Sequence, residues 1–170
     1  NENYNEDAVD MSEAEAAGLF SLGDKQTLYA KNIHEQLYPA SITKVMTALV
    51  ALKNGNREDV LTASANVTIT EPGATLSGLK PGDKMTLDQA LRILLIQSAN
   101  DVAIMIAEQY GGTAEHFCEM MNEEAVSIGA TNCNFTNPHG LTEENHYVTA
   151  YDLYLIFNEA CKYELFKEII

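Results

Sequence analysis

Basic residues are scarce. Ten lysines and arginines face 25 aspartates and glutamates, for a formal net charge of -15. Such a chain has little with which to neutralise a run of phosphates, so nucleic acid is excluded as a partner. Unaided binding to an anionic membrane is disfavoured for the same reason. No uninterrupted apolar run of about 18 residues is present, so no helix is expected to span a bilayer. Asn1-Glu2-Asn3 offers neither the basic nor the apolar region of a secretory signal, which fits a cytosolic protein and a mature exported domain equally. Cysteine is limited to Cys118, Cys133 and Cys161, an odd number without metal-type spacing, so buried or partly buried thiols are expected. No His-Glu-x-x-His or comparable ligand set accompanies His139 and His146, and His139 reads as shaping the Pro138–Gly140 loop.

What is present is ordinary globular composition, 46% hydrophobic and 21% charged over 170 residues. That is enough for one domain with a real core. Residues 1–15 read as a loose acidic leader, and residues 16–170 as the domain. Gly18–Leu22 and Gln26–Ala30 flank a Gly23-Asp24 turn and predict a hairpin. Ile42, Val45, Met46, Leu49, Val50 and Leu52 mark a helix, expected to stop at Lys53-Asn54-Gly55 on a left-handed residue. Residues 57–85 read as short strands and turns. Thr86-Leu87-Asp88-Gln89 has the form of a capping box. Further helices are expected over about 101–109, 113–128 and 150–162, the last capped by Thr149.

Ser41-Ile42-Thr43-Lys44 places a serine and a lysine three residues apart at a predicted helix start, so both side chains fall on one face. A serine hydroxyl needs a neighbouring base to become a nucleophile. A lysine can serve only when desolvation or a nearby cation leaves part of it neutral. The plain alternative is a capping serine and a surface lysine. The same letters recur in Ser77-Gly78-Leu79-Lys80, but among helix breakers that would not align the pair. Ser98-Ala99-Asn100 interrupts two apolar helices, where a hydroxyl and an amide need polar partners. The plain alternative there is a helix–helix turn with a capping role. Its copy, Ser64-Ala65-Asn66, reads as a turn into a strand over Val67–Thr70. A Ser-His-Asp triad of Ser41, a histidine and Asp152 is compatible with spacing, but Lys44 already supplies a base in register.

Tyr38–Thr47, Leu79–Asp83 with Leu94–Asp101, and Phe135–Leu141 with His146–Asp152 together resemble the low-molecular-weight serine D-Ala-D-Ala carboxypeptidases of the penicillin-binding protein family. The similarity runs from about Ala16 to the C-terminus. It implies an α+β domain of the transpeptidase/β-lactamase type, with a helical portion and an incomplete antiparallel sheet. It also implies catalysis by Ser41, Lys44, Ser98 and Asn100 without metal or organic cofactor. The substrate would be a peptidoglycan pentapeptide ending in D-Ala-D-Ala, β-lactams would acylate Ser41, and the enzyme would act outside the cytoplasmic membrane. The rival readings are a β-lactamase, against which no Glu-x-x-Leu-Asn segment is found, and an inactive penicillin-binding module. The family's third motif, K-T-G, is missing: no lysine here precedes Thr-Gly or Ser-Gly. Residues 1–170 are therefore expected to be the N-terminal part of the catalytic domain, catalytically impaired alone and prone to self-association through the incomplete sheet.

Overall fold

The computed structural model describes all 170 residues. Strands β1 (Ala17–Ser21) and β2 (Gln26–Lys31) form the expected antiparallel hairpin, with a bulge between Leu19 and Phe20. Residues 1–15 are laid along the free side of β2: the backbones of Tyr4 and Ala30 exchange two 2.9 Å hydrogen bonds. Lys31 Nζ donates to the carbonyls of Met11 and Ala14. One long cation thus gathers carbonyls that a loose segment would leave to water.

Helix α1 (Thr43–Asn54) follows a 3-10 turn at Ala40–Ile42. It ends as expected at Gly55, but not through a left-handed cap, since Gly55 is extended with φ -134°. Glycine is required there by close approach, because a Cβ would overlap the Tyr110 ring. Tyr110 is held in place by a 2.8 Å hydrogen bond from its hydroxyl to Asp59. Strands β3 (Val60–Thr62) and β4 (Lys84–Thr86) make a second antiparallel pair. The stretch 67–70 between them is not a strand; Ser64 caps a short 3-10 turn by accepting from the Asn66 amide. Helix α2 (Leu87–Arg92) starts on the capping box, with Thr86 and Gln89 satisfying each other's backbone amides. A π-helical turn over Ile93–Gln97 and the link Ser98-Ala99 then lead into α3 (Asn100–Gly111). Helices α4 (Ala114–Ser127), α5 (Ala150–Ala160) and α6 (Glu164–Ile169) complete the chain. Thr113 and Thr149 accept from the His116 and Asp152 amides at the starts of α4 and α5.

Met46, Leu49, Val102, Ile106, Phe117 and Met121 are fully buried in one contiguous core. Helix α1 runs through it between α3, α4 and α5, so its first turn sits on a rigid support. No helix is long and apolar enough to cross a membrane. The three cysteines are free, Cys118 buried and the others half-buried, as their spacing suggested.

Candidate active site

The nucleophile segment is pinned at Leu37, whose backbone exchanges two hydrogen bonds with Val148, at 2.9 and 3.0 Å. Pro39 fixes its own φ and lacks an N–H, and Ala40 takes a left-handed φ of 49°. That conformation costs a non-glycine residue about 1 kcal/mol or more. It turns the chain sharply into the 3-10 turn, where residues three apart eclipse. Ser41 lies on this turn, just outside the α-helix, and is exposed; Lys44, three residues on, is only 3% exposed. A capping serine with a surface lysine is therefore not what the chain builds. Burial pushes the Lys44 ammonium down to about 8. At pH 7 about a tenth of it is then neutral, against roughly one part in several thousand for an ordinary lysine.

The floor of the site is the loop joined at its neck by backbone pairing of Asn134 with Tyr147. Three polar side chains on the first turns of α1 dock on it. Lys44 Nζ donates to the His139 carbonyl at 2.7 Å, Thr47 Oγ1 donates to the Pro138 carbonyl at 2.6 Å, and Thr43 Oγ1 meets His146 Nε2 at 2.8 Å. The loop is shaped by Asn137, which accepts from the Gly140 amide at 2.7 Å and donates to the Leu141 carbonyl at 2.9 Å. His139 shapes it too, its Nδ1 accepting from the Leu141 amide at 3.1 Å. Burial, and then the Lys44 charge, push His139 down to about 4, so it stays neutral near pH 7.

Gly140 has φ +95° and a Cβ there would overlap the Ala40 carbonyl, directly under Ser41. Gly140→Ala is expected to cost about 2–5 kcal/mol, the sum of a left-handed penalty and overpacking against backbone. Gly82 also has positive φ, but with open space around it, so Gly82→Ala should cost only the left-handed penalty of about 1–2 kcal/mol. Urea unfolding of the two variants checks this, and equal losses would show that the close approach at Gly140 carries no weight.

The second wall comes from the α2–α3 junction. Asn100 is buried at the start of α3, its backbone amide donating to the Thr75 carbonyl at 2.8 Å. The next residue, Asp101, is buried and accepts from the amides of Ser77, Gly78 and Leu79 and from the Ser77 hydroxyl, all at 2.9–3.1 Å. These bonds anchor the chain just after Glu71–Thr75, the stretch that lines the cleft together with Ser41. Ser41, Thr75, Asn100, His139 and Gly140 line this cleft of about 250 Å³. Larger depressions lie around Lys53 and Glu124 and beside β1, but neither holds a serine next to a desolvated lysine.

Of the four residues singled out from the sequence, Ser41 and Asn100 meet at the cleft, and Lys44 sits under it on the His139 carbonyl. Ser98 is half-buried in a left-handed conformation, φ 58°, at the link into α3, and is not among the lining residues. The alternative triad is not assembled: His146 is turned to Thr43, and Asp152 accepts from the Asn132 amide at 3.0 Å. Sequence reading missed the holding roles of Asp101, Gly140 and His146. The one available signal was an aspartate buried in the apolar start of a helix.

An exposed serine one turn from a desolvated lysine, at a cleft in an α+β domain, combines the two groups that acyl transfer through a serine needs, a hydroxyl and an amine able to take its proton. Comparison with known proteins shows the family. The family model described as D-alanyl-D-alanine carboxypeptidase matches residues 4–169. D-alanyl-D-alanine carboxypeptidase DacF of Bacillus subtilis is 38% identical over 156 residues, covering 89% of this chain and 40% of the relative. The crystal structure of the D-alanyl-D-alanine carboxypeptidase DacD from Francisella tularensis superposes with a TM-score of 0.87 at 29% identity, over 92% of this chain and 39% of that one. The D-alanyl-D-alanine carboxypeptidase of Mycobacterium tuberculosis gives a TM-score of 0.85 at 32% identity, over 92% and 59%. The chain belongs to the D-alanyl-D-alanine carboxypeptidase family. It spans about two-fifths of the length of the curated relatives it matches.

Proposed function

We propose that the polypeptide carrying this chain is a serine D-Ala-D-Ala carboxypeptidase acting on peptidoglycan stem peptides outside the cytoplasmic membrane. The observation that carries the reading is the contrast within one turn: Ser41 exposed at the cleft, and Lys44 buried with its ammonium pushed down to about 8. Ser41 Oγ attacks the carbonyl carbon between the two terminal D-alanines while its proton passes to Lys44 Nζ. Collapse of the tetrahedral intermediate breaks the C–N bond and leaves an ester on Ser41. Ser98 is assigned the relay of the proton to the departing amine, and Asn100 the positioning of Lys44 and the substrate amide. Water then hydrolyses the ester, releasing the shortened peptide and restoring the hydroxyl. β-Lactams, as mimics of the acyl-D-Ala-D-Ala end, acylate the same oxygen.

Self-association of residues 1–170 is part of the same reading. Its support is the apolar groove formed by Leu19, Phe20, Ile42, Val45, Leu153 and Phe157 beside β1, where Leu19 and Ile42 are more than half exposed. Exposed apolar surface at a strand edge invites pairing. The test of function is release of D-alanine from a peptide ending in D-Ala-D-Ala, followed beside penicillin turnover. Slow peptide turnover with a long-lived penicillin adduct is expected. Rapid penicillin hydrolysis would replace this reading with a β-lactamase, and no acylation by either compound would leave only a binding module.

A further inference from the structure

His146 is a buried histidine that the proposed chemistry does not use, 1% exposed and bonded at both ring nitrogens. The Thr136 amide donates to Nδ1 at 2.9 Å, so Nδ1 carries the lone pair. The proton of the neutral ring is then on Nε2, which donates to Thr43 Oγ1 at 2.8 Å. Phe135 packs edge-on against the ring, with centroids 5.8 Å apart. Thr43 is itself buried and opens α1, directly before Lys44. The charged and titratable groups around the ring are Glu143 and His139, both on its own loop; from α1 it meets the Thr43 hydroxyl, while Lys44 is turned to the His139 carbonyl. Burial lowers the ring's proton affinity and Glu143 opposes this to a smaller extent, so the ring stays neutral near pH 7. A second ring proton would point at the Thr136 amide and break that bond.

We propose that His146 is a positioning residue, holding the first turn of α1 through Thr43 so that Lys44 stays on the His139 carbonyl and out of water. The proposal rests on the reading of Ser41 and Lys44 given above. Its geometry supplies what that pair lacks: a lysine on a flexible four-carbon stem keeps a depressed proton affinity only while its surroundings exclude water. Thr43 and His146 close the side of α1 next to it, and Thr47 closes the following turn through the Pro138 carbonyl.

The test uses the natural polypeptide carrying these residues and follows acylation by a fluorescent penicillin against pH. Thr43→Val keeps the shape and removes the acceptor, and should slow acylation about tenfold for one lost hydrogen bond to a positioned group. It should also move the alkaline-rising limb of the rate upward from its parental pH, as Lys44 regains water. Thr43→Ser should restore both. His146→Ala combined with Thr43→Val should be no slower than the slower single variant, because both act through one bond. If His146→Ala does not fold, Thr43→Val and Thr43→Ser still decide. The imidazole nitrogen-15 shifts of the parent should show the Nε2–H tautomer. A folded Thr43→Val with the parental rate and limb, or an Nδ1–H tautomer, would overturn the positioning role. Absence of any adduct in the parent would instead refute the Ser41–Lys44 reading beneath it.

Discussion

In the polypeptide carrying these residues, Ser41→Ala is expected to abolish covalent labelling by a fluorescent penicillin, whereas Ser77→Ala should retain it. Both serines sit in the pattern S-x-x-K, so the letters do not separate them. Their surroundings do. Ser41 stands on a 3-10 turn at the mouth of the cleft, with Lys44 buried behind it. Ser77 lies in a non-helical stretch beside Gly78, which has φ +88°, and its hydroxyl is engaged by Asp101 at 2.9 Å. Lys80 is exposed, and no helical turn brings it back to the Ser77 hydroxyl. The loss in Ser41→Ala should be complete because no second oxygen near the cleft has an adjacent neutral amine. Mass spectrometry of the parent adduct checks the point, and an adduct mapped to any residue other than Ser41 would sink the assignment.

Lys44→Arg should slow acylation by about 10²–10⁴-fold, the usual loss on removing a general base. Arginine keeps the positive charge and some of the reach to the His139 carbonyl, but it stays protonated at any usable pH and cannot accept the serine proton. A purely structural role for Lys44 would leave the rate nearly intact. The fold should survive, because the helix is held by its core face, including Met46, Leu49 and Val50, and by Thr43 and Thr47 on the loop. There is also a consequence for stability. A lysine whose proton affinity is lowered in the folded state binds its proton more weakly there than in the unfolded chain. Folding therefore gains stability as pH rises from about 8 toward the ordinary lysine value. Lys44→Met, which removes the titrating group, should flatten that rise in urea unfolding measured over the same range.

Much of this framework could be read from residue order, and the parts that could not share a physical reason. The hairpin, a backbone ladder closed over a short turn, and the caps at Thr86 and Thr149, where a side chain meets a backbone amide three residues away, are all local devices. Such devices leave a mark in the letters. The register of Ser41 with Lys44 is local too, although the serine turned out to stand on a 3-10 turn ahead of the α-helix. The clamp beneath them is not local. Lys44 and Thr47 reach carbonyls 95 and 91 residues away, and a backbone carbonyl carries no signature of the residue that owns it. Asp101 is similar, since three of its donors are backbone amides more than 20 residues away. Ser98 shows the converse: a short motif can sit at the right junction while its half-buried serine stays off the cleft lining. Helix α6 escaped notice because its buried residues, Leu165 and Phe166, are adjacent in a six-residue segment, too short for a period to show. The pairing of Tyr4 with Ala30 escaped because an acidic, apolar-poor segment gives no strand pattern even where its backbone completes a ladder.

The pH dependence of penicillin acylation tests most directly whether a desolvated Lys44 activates Ser41. Only the neutral amine can take the serine proton, so the rate constant should rise with pH, bend near about 8 and level off above it. His139 is pushed down to about 4 and the His146 ring is lowered as well, so neither histidine supplies a limb in that range. Lys44→Arg should lose the bend along with the rate. A bend near the ordinary lysine value of about 10.4, or a rate flat between about pH 6 and 9 that Lys44→Arg leaves unchanged, would contradict the assignment of Lys44 as the base.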